Sequence, residues 1–298
     1  MTKRKNKLNQ GWLVLIIILG LIDFGLLIRK LLHGHNVGLF NPKGRIAEQQ
    51  HSLMIYVAVV MLIIAIPSVL LLYFIAWKYR ESNTKATYDP DMRRSRWFDF
   101  SAWAVPTVFM LLLASAMIPA SHRLQPRKLI ASDAKPLTIQ VISMRWKWLF
   151  IYPDQKIATI NFVQLPLNTP VTFEMTADET PMSSFWIPNL GGQLYTMTSH
   201  VNRLNLIANT PGDYPGSSAE LNGAGFAGMK FTARASSMEN FDNWVQSVKQ
   251  SPEVLDATGY QSLLKPSEYN PASFYSAVEP NLYTYVISKY EGPGGHKH

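Results

Sequence analysis

A chain of 298 residues has room for two structural units, and its net charge of +8 belongs to one of them: residues 1–120 carry 14 Lys and Arg against 6 Asp and Glu, whereas residues 121–298 carry 14 of each. The basic total therefore does not describe a nucleic-acid binder, because the larger polar half is neutral and the excess cations flank apolar runs. The absence of cysteine excludes disulfides and any thiolate ligand for copper, zinc or iron–sulfur clusters.

Residues 1–10 are polar and basic (Lys3, Arg4, Lys5, Lys7), and residues 11–28 are apolar except for Asp23. Residues 1–35 thus read as a signal peptide or a signal anchor, with no small-residue cleavage site to decide between the two. Asp23 is either a contact within the membrane or the mark of a weak signal sequence. Residues 53–77 then run for 25 positions without a formal charge, more than the roughly 20 needed to cross a ~30 Å hydrocarbon core. Pro67 predicts a kink there, and Tyr73, Trp77 and Tyr79 fit an aromatic belt at one end. A second span covers about 100–120, with Trp97 and Trp103 near its start and Pro106 inside it. The connector 78–96 holds Lys78, Arg80, Lys85, Arg93, Arg94 and Arg96 against Glu81, Asp89 and Asp91, which places it in the cytoplasm. Residues 36–122 are accordingly a two-helix transmembrane hairpin with both flanks outside. The chain beyond residue 122 is extracytoplasmic, in the periplasm if the cell is Gram-negative.

From Leu137 the pattern turns β-rich. Leu137-Thr138-Ile139-Gln140-Val141-Ile142 alternates loosely, and Arg145-Trp146-Lys147-Trp148 alternates strictly, as a strand would. Short strands come next between turn signals such as Pro153-Asp154, Asn168-Thr169-Pro170, Gly191-Gly192 and Asn222-Gly223, the spacing of an all-β sandwich or barrel over residues 123–236. Residues 241–250 read as an amphipathic helix with Phe241, Trp244, Val245 and Val248 on one face. The rest of 237–298 is a helical tail rich in tyrosine. His33, His35, His51, His122, His200, His296 and His298 include no pair at helical spacing in a span, so no haem ligand is assigned. His296 and His298 close a Gly-rich end that is expected to be disordered rather than metal-binding.

Architecture alone does not give function; particular stretches carry more. Asn41-Pro42-Lys43-Gly44, Ala76-Trp77-Lys78-Tyr79-Arg80, Trp103-Ala104-Val105-Pro106, Trp146-Lys147-Trp148, Phe185-Trp186-Ile187-Pro188, Leu206-Ile207-Ala208-Asn209, the run from Gly225 to Phe231, and Pro266-Ser267-Glu268-Tyr269-Asn270 stand in one order along the chain. In these the chain resembles subunit II of the haem–copper oxidases, and within them the quinol oxidases of the cytochrome bo type. The resemblance implies a membrane α plus all-β fold: a helical hairpin, a cupredoxin-like sandwich and a tail.

It also implies where copper would sit. Cytochrome c oxidases of this superfamily hold a binuclear copper pair in a pattern Cys-x-Glu-x-Cys-x-x-x-His-x-x-Met with a further His upstream. Laid on that pattern, this chain reads Ser218, Glu220, Asn222, Phe226 and Met229, with Ser183 at the upstream position. Both thiolates and both imidazoles are replaced; Glu220 and Met229 alone remain, which is no copper site. The resemblance then implies no cofactor in this chain, haems and copper in subunit I, partner subunits I, III and IV, and ubiquinol rather than cytochrome c as electron donor, with menaquinol as the alternative. The setting is the bacterial inner membrane. Among other classes, a tethered copper carrier would need ligands the sandwich lacks.

Asp99 opens the second span in Phe98-Asp99-Phe100. Relatives carry a carboxylate at the mouth of a proton-input path at the matching position, so Asp99 is either a proton-pathway residue or an ordinary acid at a helix N-terminus. Trp146 and Trp148 match an aromatic pair used for electron transfer in the cytochrome c branch; with no acceptor copper, packing and subunit contact are expected of them. Relatives often carry an acylated Cys after the signal; Leu32-His33-Gly34-His35 stands there instead, so no lipid anchor is expected.

Overall fold

The computed structural model describes residues 19, 20, 23, 25–27, 38–86, 95–132, 134–180 and 182–290. Residues 1–18, 32–35, 89–94 and 291–298, with the readings made on them, lie outside the described residues. Asp23 is helical and exposed. The chain divides into two compact units, Met1–Asn41 and Pro42–His298. In the first, Gly38–Phe40 is a single 3-10 turn.

The second unit begins with two long helices, α1 (Arg45–Lys78) and α2 (Arg96–Arg123), which contain the two uncharged runs and extend them at both ends. α1 runs unbroken through Pro67, and α2 through Pro106 and Pro119. Leu70, Leu71, Leu72, Phe98, Leu111 and Ile118 are all exposed. Such surface fits a membrane-anchored protein, since a helix in lipid satisfies its own backbone groups. The Tyr56 hydroxyl donates to the Leu112 carbonyl at 3.2 Å, tying one helix to the other.

Ten strands form the sandwich: β1 (Leu137–Met144), β2 (Lys147–Tyr152), β3 (Ile157–Ile160), β4 (Phe162–Pro166), β5 (Val171–Ala177), β6 (Ser183–Trp186), β7 (Leu194–Thr196), β8 (Asn202–Leu206), β9 (Gly212–Ser218) and β10 (Lys230–Ser236). The tail supplies α3 (Met238–Lys249), β11 (Val254–Leu255), α4 (Ala257–Leu264), β12 (Ser273–Tyr275), β13 (Ala277–Val278) and α5 (Leu282–Ser288). One sheet runs β12-β3-β2-β1-β5-β8 and the other β4-β10-β9-β6-β7. The β1–β5 and β4–β10 pairs are parallel among otherwise antiparallel neighbours, so the chain crosses between sheets in the cupredoxin-like manner.

Alternation along β1 and β2 divides their side chains between two cores. Ile139, Val141, Trp148, Phe150 and Tyr152 face the sandwich interior with Phe173, Phe185 and Phe231. Ile142, Met144, Leu149 and Ile151 face the other way, against Leu255, Tyr260, Leu264, Leu282, Tyr283 and Val286 of the tail. A sheet covered on both faces has no polar face, which is why the alternation in the sequence is loose. Each such side chain contributes about 1.5–3 kcal/mol when fully buried. The tail is therefore a packed third layer, not only helical: β12 joins the sheet edge, with Phe274 opposite Thr159. α3 sends Phe241, Val245 and Val248 into the sandwich core, as its periodicity predicts, while Trp244 is half-buried beside them.

The strict alternation at 145–148 does not make a strand throughout. Arg145 and Trp146 form the two-residue turn between β1 and β2, with Met144 paired to Lys147, and Trp146 takes φ 64. Positive φ is unusual for a bulky residue and is held by what its side chain touches. Lys147 is buried; its ammonium donates to the carbonyls of Leu263 at 2.8 Å and Lys265 at 3.0 Å, closing the end of α4. Burial pushes that ammonium below the usual lysine range.

Two seams fix the helices on the sandwich. Lys43 N–H donates to Asn189 O at 2.8 Å, Ala47 N–H to Leu190 O at 3.1 Å, and Asn209 N–H to Lys43 O at 2.9 Å. A Cβ on Gly44 would come within 2.3 Å of the Ile207 carbonyl oxygen, so only glycine allows this approach. Beyond α2, Asn205 donates both its backbone N–H and its side-chain amide to the Pro126 carbonyl, each at 3.1 Å.

Candidate functional site

Four of the six aligned positions converge. β6 lies beside β9, pairing Phe185 with Ser218, and so brings Ser183 near the loop that leaves β9. The Asn222 side-chain amide donates to Ser183 Oγ at 2.8 Å and to Met229 Sδ at 3.0 Å. The Ser218 hydroxyl donates to the Glu220 carbonyl at 2.9 Å and accepts the Ser184 N–H at 3.4 Å. Ser183, Ser218, Asn222 and Met229 are all buried, and the loop is closed by Ser218 N–H to Met229 O at 3.2 Å. The other two positions join this network only through their backbone carbonyls, Glu220 O accepting the Ser218 hydroxyl and Phe226 O the Met229 N–H at 3.1 Å. Phe226 is half-buried on the 3-10 turn Ala224–Gly228. Glu220 is exposed, its carboxylate accepting the Tyr195 hydroxyl at 3.2 Å, which pushes that phenol up.

The donor set decides what this place can do. The Asn222 amide is engaged by the Ser183 hydroxyl and the Met229 thioether, its own Oδ1 is buried without a partner, and the Ser218 hydroxyl is engaged by backbone groups. A binuclear copper pair needs soft thiolate bridges and imidazoles, so the residues present do not fit the binuclear pair that the resemblance would place here. Among the described residues no cluster of three or more His, Cys, Asp or Glu has the arrangement to hold a metal ion.

Trp146 lies over this loop. Its indole N–H donates to the Asn222 carbonyl at 3.3 Å, and a Cβ on Gly225 would lie 2.3 Å from its Cδ2. That contact compensates the left-handed backbone at Trp146. Trp148 is fully buried, edge-on to Phe185 at 5.3 Å and Phe231 at 5.8 Å between centroids. Asp99 is half-buried in the first turn of α2, at the end of the helix opposite the sandwich.

A second polar centre was not legible in the sequence. Asp178, fully buried at the end of β5, accepts the hydroxyls of Tyr260 and Tyr290, each at 2.5 Å, and the Lys289 ammonium at 3.0 Å. Lys289 also reaches Glu179 at 2.8 Å. Burial and then the hydrogen bond to Asp178 push the Tyr260 phenol far up. Burial pushes the Lys289 ammonium down, but its hydrogen bonds to Glu179 and Asp178 outweigh this and hold it above the lysine range. The partners stand 82 to 112 residues apart, so no local pattern announces them.

Residues 249–294 match the family model described as the COX Aromatic Rich Motif. The chain is 45% identical to the cytochrome bo(3) ubiquinol oxidase subunit 2 of Pseudomonas putida over 88% of its own length and 83% of that protein. It is 41% identical to the ubiquinol oxidase subunit 2 of Acetobacter aceti, over 89% and 87% respectively. Among solved structures it is similar to the periplasmic domain of subunit II of cytochrome oxidase from Bradyrhizobium japonicum, at 21% identity and TM-score 0.37, covering 40% of this chain and 96% of that one.

Proposed function

On the premise that the chain belongs to the ubiquinol oxidase subunit 2 family, we propose that it serves the oxidase as a structural subunit with no redox centre of its own. The observation that carries this is the donor set at these positions: the Asn222 amide donates to Ser183 Oγ and Met229 Sδ, the Ser218 hydroxyl donates to the Glu220 carbonyl, and neither a thiolate nor an imidazole stands among them. Haems and copper then belong to subunit I, and subunits I, III and IV are the partners. Ubiquinol, not cytochrome c, is the donor to the complex; the names of the relatives at 45% and 41% identity favour it over menaquinol.

The complex sits in the bacterial inner membrane with α1 and α2 spanning it and the sandwich in the periplasm. The basic connector between the helices and the exposed apolar surface of both support that orientation. In this orientation Asp99 lies at the cytoplasmic end of α2, where a carboxylate can take part in proton input.

The test is a metal count by subunit. When this chain is stripped from the purified complex, the copper and haem content stays with the remainder. Copper leaving with this chain would contradict the proposal.

A further inference from the structure

Two adjoining hollows that share lining residues lie near where the helices meet the sandwich, apart from both Asp99 and the Ser183–Asn222 network. The upper one, about 280 Å³, lies between the start of α1, the segment after α2 and strand β8. Its cations are Arg45, Arg123 and Lys128, and Gln49, Gln193 and Asn205 add amide groups. Among the described residues none of the three cations forms a salt bridge, and Arg45 uses a single N–H on the Ala131 carbonyl at 3.1 Å, leaving most of its five donors for a ligand. The lower hollow, about 540 Å³, shares Gln49, Arg123 and Leu124 with the upper one and lies along the groove between α1 and α2, past Leu53, Tyr56, Ala116 and Pro119. Among the described residues Glu48 is the one acid lining either hollow, against the cations Arg45, Arg123 and Lys128.

A cationic cup beside an interhelical groove that is polar near the cup and apolar at Leu53, Ala116 and Pro119 matches a molecule with an anionic head and a hydrocarbon tail. The level is right as well: Arg123 lies three residues beyond the apolar run that ends at 120, while Leu53 and Ala116 lie within the two runs. Guanidinium groups bind phosphate oxygens by paired hydrogen bonds, and an anionic lipid gains a further favourable interaction from each neighbouring cation. We propose that Arg45, Arg123 and Lys128 bind the phosphodiester of an anionic phospholipid whose acyl chain lies in the α1–α2 groove beside Leu53 and Ala116. Such a lipid would join the outer ends of both helices to β8 and act as a structural ligand of the subunit.

The test uses the whole complex, delipidated in detergent and titrated with phosphatidylglycerol, phosphatidylcholine or inorganic phosphate, with bound lipid counted by native mass spectrometry. Retention of phosphatidylglycerol above phosphatidylcholine is expected, with about a tenfold or greater weakening in the triple variant Arg45→Gln, Arg123→Gln, Lys128→Gln. The milder Arg45→Lys, Arg123→Lys pair keeps the charge and is expected to keep most of the binding. Ala116→Phe, which fills the groove and leaves the cup intact, is expected to weaken lipid retention as well. Unchanged phosphatidylglycerol retention in the triple variant overturns the site. Displacement by inorganic phosphate at equal concentration, with no effect of Ala116→Phe, overturns the lipid and leaves a phosphate-ion site instead.

Discussion

Asn222 holds Ser183 at 2.8 Å through its side-chain amide, so two of the positions that the resemblance lays on the copper pattern are joined directly to each other. The same amide reaches Met229 Sδ at 3.0 Å. Asn222 thus adds side-chain bonds to the backbone bond from Ala219 N–H to Ser184 O that joins the β9–β10 loop to β6. Asn222→Ala removes both bonds and leaves a small cavity among buried groups. A loss of about 1–3 kcal/mol is expected, read as a lower midpoint for thermal unfolding of the complex, with ubiquinol turnover at moderate temperature unchanged.

The loop depends equally on Trp146 and Gly225. Gly225→Ala would place a methyl about 2.3 Å from the indole, displacing Trp146 from its hydrogen bond to Asn222. The expected cost is about 1–3 kcal/mol, as for other overpacked sites. Tryptophan fluorescence of the complex is expected to shift to the red as the ring gains access to water. An unshifted spectrum would show that the ring does not pack there.

Much of this architecture was legible in the sequence, and the exceptions have physical reasons. The uncharged runs at 53–77 and about 100–120 fall inside α1 and α2, because lipid leaves helices little alternative. The face of α3 was equally plain, because Phe241, Val245 and Val248 keep to the helical period and enter one core. Arg145-Trp146 reads as strand because its alternation mimics one, while the turn is made possible by an indole contact some 76 residues away in sequence. The tail's β12 and its cover over Ile142, Met144, Leu149 and Ile151 escape a sequence reading for the same reason: their partners are non-local. At the positions laid on the copper pattern the sequence gives the residue types, but not that Asn222 bridges Ser183 and Met229.

The Asp178 centre fastens the tail. Asp178→Ala strands the buried Tyr260 phenol and removes an acceptor from the half-buried Tyr290 and from Lys289, and leaving such a buried donor unpaired costs about 1–3 kcal/mol. Limited proteolysis is expected to cut the tail near α5 in this variant before it cuts the sandwich.

The same centre gives the tail a pH dependence. Lys289, Tyr260 and Tyr290 all hold their protons more tightly in the folded chain than in the unfolded one. Their contribution is complete below the unfolded values, about pH 10 to 10.5, and is lost as pH rises through the raised folded values. Hydrogen exchange at α5 is thus expected to rise above its base-catalysed trend beyond about pH 10, and Lys289→Met is expected to diminish that rise.

Gly44→Ala tests the seam between helix and sandwich. Its methyl would meet the backbone at Ile207, which has no flexible end to yield. Less assembled complex per cell is expected from this variant, measured against Gly20→Ala, whose methyl would meet nothing.

Asp99→Asn in the assembled oxidase is expected to slow ubiquinol turnover and proton uptake together, with the pH profile displaced from that of the parent. Wild-type values for all three would reduce Asp99 to an acid at a helix N-terminus.

The most direct measurement is oxygen consumption by the purified complex with each of two electron donors. Rapid oxidation of ubiquinol with none above background from reduced cytochrome c is the expected result. Steady oxygen uptake driven by reduced cytochrome c through this subunit would mean that the Ser183–Asn222 region does carry electrons, and would contradict the account.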